Sequence, residues 1–244
     1  MANWSDPRSD IAGFGNASAA RSEAFDAGLR KYMLSVYNYM ASGVLLTGIV
    51  ALLFAQSGLA YQVFAGPGIL KYIVMFAPLA FVMVLSFGIN KLSTFATQAL
   101  YWAYAAVMGV SLSYIFLAYT GTSIAQTFFA TAAAFAGLSL FGYTTKKDLS
   151  GFGTFLIMGV VGLLVASLIN LFLRSSMMDL VISAVGVLLF AGLTAYDTQK
   201  IKSIYAYVAG TEMMGKSVVM GALNLYLDFI NMFLFLLRLF GDRR

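Results

Sequence analysis

Residues 217–241 read SVVMGALNLYLDFINMFLFLLRLFG, an apolar stretch long enough to cross a bilayer, with one carboxylate, Asp228, near its middle. A side chain charged at the bilayer centre costs about 2.5–3.5 kcal/mol to insert, so Asp228 is a candidate functional residue. At 3.6 residues per turn, Asp228 shares one helical stripe with other small or polar side chains. The stripe consists of Ser217, Gly221, Asn224, Asp228, Asn231 and Arg238. Because lipid offers these groups no hydrogen-bond partners, the stripe predicts a central helix of a bundle.

The composition of the whole chain supports a membrane protein. Of its 244 residues, 61% are hydrophobic and only 10% are charged, which is typical of polytopic membrane proteins. This length has room for about seven spans of roughly 20 residues. We therefore expect an all-α polytopic protein with seven transmembrane helices and direct contact with the lipid bilayer.

Two residue types are absent, and their absence limits the chemistry. Without Cys, the chain has no disulfide, thiolate metal site or cysteine nucleophile, and without His it lacks the usual switch near neutral pH. Any pH response must come from carboxylates, and any bound metal must be a hard cation such as Ca²⁺ or Mg²⁺. The net charge of +5 fits basic loops of a membrane protein and does not indicate nucleic-acid binding.

The pattern of polar and apolar segments divides the chain into three parts. Residues 1–33 are predicted to be a polar cytosolic tail, residues 34–241 a seven-helix membrane domain, and residues 242–244 a short C-terminal tail. The predicted spans are about 34–55, 72–89, 98–119, 124–143, 152–173, 179–207 and 217–241. Two pairs, Gly109 with Ser113 and Ala133 with Gly137, have the small-residue spacing of closely packed helices.

The basic residues predict the orientation. With seven spans, ten Lys and Arg side chains fall on the side of the N-terminus and five on the other, which places the N-terminus in the cytoplasm. Three of those five, Arg238, Arg243 and Arg244, would move to the cytoplasmic side if residues 217–240 were re-entrant. Length favours a span, and the re-entrant alternative stays open on sequence alone.

The two acidic residues of the last spans lie at matching depths. Asp228 lies roughly 18 Å along its helix from Lys216, and Asp197 lies roughly 15 Å from Tyr207 if the sixth helix continues that far. A short loop joins these helices, so they are expected to be antiparallel neighbours whose carboxylates can meet. Such a pair shares a proton, titrates in two coupled steps and offers a site for Ca²⁺.

Simpler interpretations compete with this one. Beside Lys200 and Lys202, Asp197 is also consistent with an ordinary residue at the membrane interface, and Asp228 with a hydrogen bond to a neighbouring helix that has no function. The amides of Asn224 and Asn231 are most simply explained by hydrogen bonds between helices.

The segments AYDTQ (195–199) and GALNLYLDFINMFLFLLRLFG (221–241) resemble the Bax-inhibitor family, and the similarity covers roughly residues 30–241. The resemblance implies a central seventh helix surrounded by the other six. It also implies that Asp197 and Asp228 form a di-carboxylate pH sensor in a calcium-leak pathway, which conducts calcium ions and responds to protons. In some members an Arg of the second helix latches the pair, but residues 72–89 contain no Arg or Lys here, so the closing contact must differ or be absent.

Two functions follow from the resemblance. The first is a pH-sensitive calcium-leak channel or transporter gated by the aspartate pair, with Asn224, Asn231 and Arg238 as a supporting polar stripe. The alternative is an interaction protein that modulates a membrane-bound AAA protease through the N-terminal tail. No enzyme activity and no cofactor are expected, since the chain lacks HExxH and GxSxG motifs. A retinal protein would need a Lys within a span, and an intramembrane aspartyl protease would need a GxGD motif before Asp228.

Overall fold

The protein folds into a bundle of α-helices. The computed structural model describes residues 8–66 and 68–244, with side chains described from residue 23 onward. These ranges contain nine helices: α1 Arg8–Gln56, α2 Leu59–Ala65, α3 Leu70–Gly88, α4 Thr94–Leu112, α5 Ile115–Ala118, α6 Gly121–Thr144, α7 Ser150–Leu173, α8 Ser176–Val208 and α9 Met213–Phe240.

Seven stretches of the described residues are long and apolar enough to span a membrane. They are α1 from Glu23 onward, α3, α4 together with α5, α6, α7, α8 and α9. This confirms the predicted all-α fold with seven spans, so the sixth and seventh predicted spans are α8 and α9. Hydroxyl side chains cap several helix starts: Ser93, Thr120 and Ser175 each accept a hydrogen bond from a backbone N–H three residues later.

The first helix differs from its prediction. It begins at Arg8, whereas the sequence places the start of the first span at residue 34, so the boundary at residues 33 and 34 lies inside a helix. Leu29 and Tyr32 are already buried, and the rings of Phe25 and Tyr32 pack 5.0 and 5.4 Å from that of Tyr205 in α8. The helix therefore extends N-terminally of the predicted span, and Phe25 and Tyr32 in this extension pack against α8. Residues 1–7 of the predicted tail lie outside the described residues.

The sixth predicted span continues beyond its apolar part, as expected. Helix α8 runs without interruption to Val208, and a four-residue turn, 209–212, leads into α9. These two helices pack against each other along their length. The continuation matters because it carries Asp197 into the interior of the bundle instead of leaving it at a helix end.

The last helix is the most buried of the seven spans. Two-thirds of its most apolar window is buried, against less than half in every other span. Helices α1, α4, α6 and α8 pack directly against it, while α3 packs mainly on α4 and α7 mainly on α8. Within the polar stripe of α9, Gly221 and Asp228 are buried, Ser217, Asn224 and Asn231 are half-buried, and Arg238 is exposed.

The two ends of the bundle differ in charge. The lysine-rich end contains Lys91, Lys146, Lys147, Lys200, Lys202 and Lys216, and there Lys216 Nζ donates to the carbonyl of Ile89 at 3.3 Å. At the opposite, C-terminal end, Asp242 N–H donates to Ser123 Oγ at 2.9 Å. Helix α9 is one continuous helix of 28 residues between these two ends, which favours a span over the re-entrant alternative.

The two predicted small-residue contacts have opposite outcomes. Gly109 of α4 lies against Thr47 and Val50 of α1 so closely that a Cβ would come within 2.7 Å of each, which confirms a tight helix contact. Gly137 of α6 has no atom within 4 Å of its Cβ position, and Ala133 is exposed. The second prediction is wrong because the spacing shows that one face of a helix has small side chains, but it does not show whether another helix packs on that face.

Candidate functional site

The structure brings the two predicted carboxylates together. Asp197 lies about three turns before the end of α8, and Asp228 lies about four turns after the start of α9. Because the helices are antiparallel and joined by a short turn, these depths differ by only about one turn, and the two carboxyl groups lie within interaction range of each other. This proximity agrees with the similar distances of the two residues from the shared turn.

The pair is asymmetric in its exposure. Asp228 is only 4% exposed, whereas Asp197 is half-buried and lies nearer to the lysine-rich end. Two carboxyl groups this close in a poorly solvated place favour sharing one proton over carrying two charges, and such groups titrate in coupled steps. Asp197 is the more exposed of the two.

One oxygen of the pair has no donor. Oδ2 of Asp228 is buried, and no group in the described ranges donates a hydrogen bond to it. An unsatisfied buried oxygen is unfavourable, and such a group in a native structure calls for an explanation. A proton or a cation at this oxygen would supply the missing partner.

The remaining members of the polar stripe do different things. Ser217 Oγ lies 2.8 Å from the hydroxyl of Tyr32, so it joins α9 to α1. The Asn231 amide donates to the carbonyl of Leu227 in its own helix at 2.8 Å, which corrects the expected hydrogen bond between helices. Asn224 is half-buried, and Arg238 lies at the C-terminal end.

Arg238 does not reach the carboxylate pair. Its Nη1 lies 3.8 Å from Oδ1 of Asp179, at the start of α8. Ten residues separate it from Asp228, which is roughly 15 Å along the helix. The stripe thus has an ionic contact, that of Arg238, at its C-terminal end and a carboxylate, Asp228, near its middle.

Sequence reasoning missed the role of Gln199. Its Oε1 accepts from the N–H of Leu149 at 2.8 Å, and its Nε2 donates to the carbonyl of Lys147 at 2.8 Å. These bonds fix the loop between α6 and α7 two residues beyond Asp197. The signal was available, because a polar amide follows Asp197 in the AYDTQ segment, but its partners are 50 residues away in sequence.

Lys200 is a second neighbour that the sequence alone did not assign to the site. It lies within electrostatic range of Asp197, and its Nζ is 5.8 Å from the ring centre of Tyr196. The second span, α3, contains Lys71 at its start and no Arg. The positive charge near the pair therefore comes from Lys200 of α8 itself. No Arg of the second span is present to contact the carboxylates.

The two carboxyl groups of the pair suit weak, reversible binding of a cation better than tight binding. Two carboxylates are oxygen ligands that Ca²⁺ prefers, but a stable site needs six to eight oxygens, as a rule of thumb. Among the side chains that the structure describes, no group of three or more His, Cys, Asp or Glu is placed to hold a metal ion. Asp197 and Asp228 can hold a proton or bind a divalent cation weakly.

A family model and several bacterial proteins match most of this chain. A family model described as inhibitor of apoptosis-promoting Bax1 matches residues 29–244. An uncharacterized protein of Rickettsia prowazekii is 46% identical over 93% of this chain and 96% of its own length. An uncharacterized protein of Caulobacter vibrioides is 47% identical over 90% and 91%. The inner membrane protein YbhL of Escherichia coli is 46% identical over 89% and 94%.

Proposed function

This chain belongs to the Bax inhibitor family, and on that premise we propose that it is a pH-sensitive pathway for Ca²⁺ in the bacterial inner membrane. The pair of Asp197 and Asp228 acts as the sensor and as the weak ion-binding site. The observation that carries the proposal is a pair of carboxyl groups within interaction range of each other inside the bundle, with one buried oxygen, Asp228 Oδ2, left without a donor. The inner-membrane location follows from the similarity to the inner membrane protein YbhL.

Protons and Ca²⁺ compete for the same oxygens in this proposal. When the shared proton leaves, two negative charges lie in contact in a poorly solvated place, and a divalent cation compensates them. Because the pair holds few ligands, the ion is released again, which conduction requires. The protonation state therefore sets how readily a cation enters, and Lys200 adds a positive charge close to Asp197.

The test is Ca²⁺ flux into proteoliposomes that contain the purified chain, measured over a range of pH. We predict that Asp228→Asn keeps the fold, because Asn is similar in size, and shifts the pH midpoint of the flux, because Asp197 is then the one carboxyl of the pair left to titrate. Wild-type flux in the mutant at every pH would overturn the role of Asp228.

Asp148→Asn is the matched control. Asp148 lies in the loop between α6 and α7, where the hydroxyl and backbone N–H of Ser150 donate to it and lower the pKa of its carboxyl. A lowered pKa keeps this exposed carboxylate ionised throughout the neutral range, so its loss removes a negative charge at the lysine-rich end without removing a titration there. The pH dependence of the control should match that of the wild type.

A second candidate is modulation of a membrane-bound AAA protease through the N-terminal segment. The observation that favours it is the length of α1, which starts 17 residues before Phe25, the first residue with a described contact to α8. Deleting residues 1–24 discriminates the two functions and spares Phe25, Leu29 and Tyr32. A leak pathway retains its flux after this deletion, whereas an interaction through the segment is lost.

A further inference from the structure

A polar cavity lies at the C-terminal end of the bundle, away from the carboxylate pair. Its volume is about 440 Å³, and its walls come from the end of α7, the start of α8, the end of α9 and the residues that follow α9. The polar side chains that line it include Asn170, Arg174, Ser176, Asp179, Arg238 and Arg243. Two stretches of the chain, 170–183 and 238–243, thus converge on one space.

The cavity carries an excess of positive charge. Three guanidinium groups, those of Arg174, Arg238 and Arg243, face it, and Asp179 is the one acidic side chain among the described lining residues. Asp179 lies 3.8 Å from the nearest nitrogen of Arg238 and 3.8 Å from that of Arg243. These separations exceed hydrogen-bond length, so the N–H donors of both arginines are available to a ligand.

Arg174 has an unusual backbone conformation. It has φ 51°, the one positive φ of a non-glycine residue in the described ranges, at a helix end where Gly or Asn is usual. The turn is fixed by Asn170, whose carbonyl accepts from Arg174 N–H at 2.7 Å and whose Oδ1 accepts from Ser175 N–H at 3.0 Å. A side chain kept in an unfavourable conformation at a cavity suggests a function for that side chain.

The surroundings of the cavity indicate its depth in the membrane. Large apolar side chains on α7, α8 and α9 beside it are exposed on the bundle surface, as lipid-facing residues are: Leu171, Phe172, Leu173, Met177, Leu180 and Phe240. The arginines lie where this apolar surface gives way to the chain terminus. Lipid phosphates are found at that level of a bilayer, so the cavity is placed to meet them.

We propose that this cavity binds a phosphate group, presented by an anionic lipid headgroup or as a free phosphate ion. A phosphate offers several oxygens in different directions, which suits three guanidinium groups from two stretches of the chain better than a single carboxylate would. Bound there, the group would join α7, α8 and α9 at the end opposite to the turn that carries the carboxylate pair. The site is independent of the proposed Ca²⁺ function.

The experiment measures binding to the purified full chain in a neutral detergent. One arm titrates phosphatidylglycerol in mixed micelles with phosphatidylcholine, and the other titrates inorganic phosphate. The variants are Arg174→Gln and Arg243→Gln, and the control is Arg244→Gln, an exposed arginine next in sequence that does not line the cavity. Each cavity variant should bind about tenfold more weakly than the wild type, because it loses a charge-assisted hydrogen bond.

The outcomes are separable. Binding of phosphatidylglycerol alone identifies a lipid site, and binding of inorganic phosphate that competes with the lipid identifies a phosphate site; both support the proposal when the control is unchanged. Equal binding of phosphatidylcholine, equal losses in Arg244→Gln and Arg243→Gln, or no binding in either arm would overturn it. Arg243 follows the last helix, so its variant tests the site even if Arg174→Gln does not fold.

Discussion

Asp228 is the one buried carboxylate among the side chains that the structure describes, and its partner Asp197 is half-buried. The two lie close enough to share a hydrogen bond, so neither can be treated as an isolated acid. Burial explains why this residue stood out in the sequence, since a charge in lipid is costly. Its neighbour stood out less, because Asp197 is followed by lysines and resembles an interfacial residue.

The coupling of the two carboxylates can be measured with a mutant cycle. Asp197→Asn and Asp228→Asn should each shift the pH midpoint of Ca²⁺ flux, and the double mutant should add little beyond the larger single shift, since either substitution removes the shared proton. The interaction free energy should be about 0.5–3 kcal/mol. Additive shifts would show two independent carboxylates and would return Asp197 to the role of an interfacial residue.

A hydroxyl pair at the α1–α9 contact gives a prediction about stability. Thr47 Oγ1 donates to the carbonyl of Ala105 at 2.8 Å, so the Tyr226 hydroxyl donates to Thr47 Oγ1 at 2.7 Å. Thr47→Val leaves the buried Tyr226 hydroxyl without an acceptor and should cost about 1–3 kcal/mol, whereas Tyr226→Phe should cost about 0.5–1.5 kcal/mol. Unfolding in mixed micelles of increasing sodium dodecyl sulfate checks this order.

The double variant is the control for this pair. With both hydroxyls gone, no buried donor is left unpaired, so Thr47→Val combined with Tyr226→Phe should be less destabilised than the sum of the two single variants. A strictly additive result would mean that the hydrogen bond contributes nothing.

At the scale of helices, α8 is held between α6, α7 and α9. Its contact with α6 is unusually close at Gly142, where a Cβ would collide with the backbone carbonyl of Ala195. Ala195 lies two residues before Asp197, so the approach of α6 sets the position of the segment that carries the carboxylate. A second link lies one residue beyond the carboxylate, where Thr198 Oγ1 donates to Ser139 Oγ at 3.5 Å.

Substitution of Gly142 tests this dependence. Gly142→Ala should destabilise the protein by about 1–3 kcal/mol, because backbone atoms of α8 must move to make room. The shift should also change the pH midpoint of Ca²⁺ flux, since it displaces the Asp197 segment. The loss of stability is measured by unfolding in mixed micelles of increasing sodium dodecyl sulfate, and the pH midpoint by Ca²⁺ flux into proteoliposomes.

Gly137→Ala is the matched control in the same helix. No atom lies within 4 Å of its Cβ position, and alanine is the better helix former, so this variant should be neutral or more stable by up to about 1 kcal/mol. Equal destabilisation by both substitutions would show that the loss of stability comes from replacing any glycine of α6 and not from the contact of Gly142 with α8.

The whole molecule has two different ends, one rich in lysine and one that gathers Arg238, Arg243 and Asp179. Helix α9 connects them, so the turn before it and the chain after it lie on opposite sides. The C-terminal arginines lie on the side that the positive-inside rule expects to be poor in basic residues. Asp179, on the same side, compensates part of their positive charge.

Because the chain contains no Cys, single cysteines report this topology cleanly. Thr211→Cys, in the turn before α9, and Arg244→Cys, after it, are both at exposed positions. A maleimide that does not cross membranes should label Arg244→Cys in intact spheroplasts, and Thr211→Cys only after the membrane is opened. Labelling of both from the same side would contradict a spanning α9 and the orientation predicted from the basic residues.

The sequence by itself determined the number of spans, and it predicted that α8 can continue beyond its apolar part and that Asp197 can meet Asp228. These follow from quantities local to the chain: apolar length, the cost of a buried charge, and equal rise along two helices joined by a short turn. Depth along a helix is a one-dimensional property, and it can be read from residue numbers alone.

Only the tertiary structure decided which faces meet. Gly109 packs against α1 while Gly137 has no neighbour, although both belong to the same spacing pattern. Gln199 finds its partners in a loop 50 residues away, and Arg174, Arg238 and Arg243 converge on one cavity from distant segments. A helix sequence shows which of its faces is smooth or polar, but the neighbour that covers the face is set by the packing of all seven spans together.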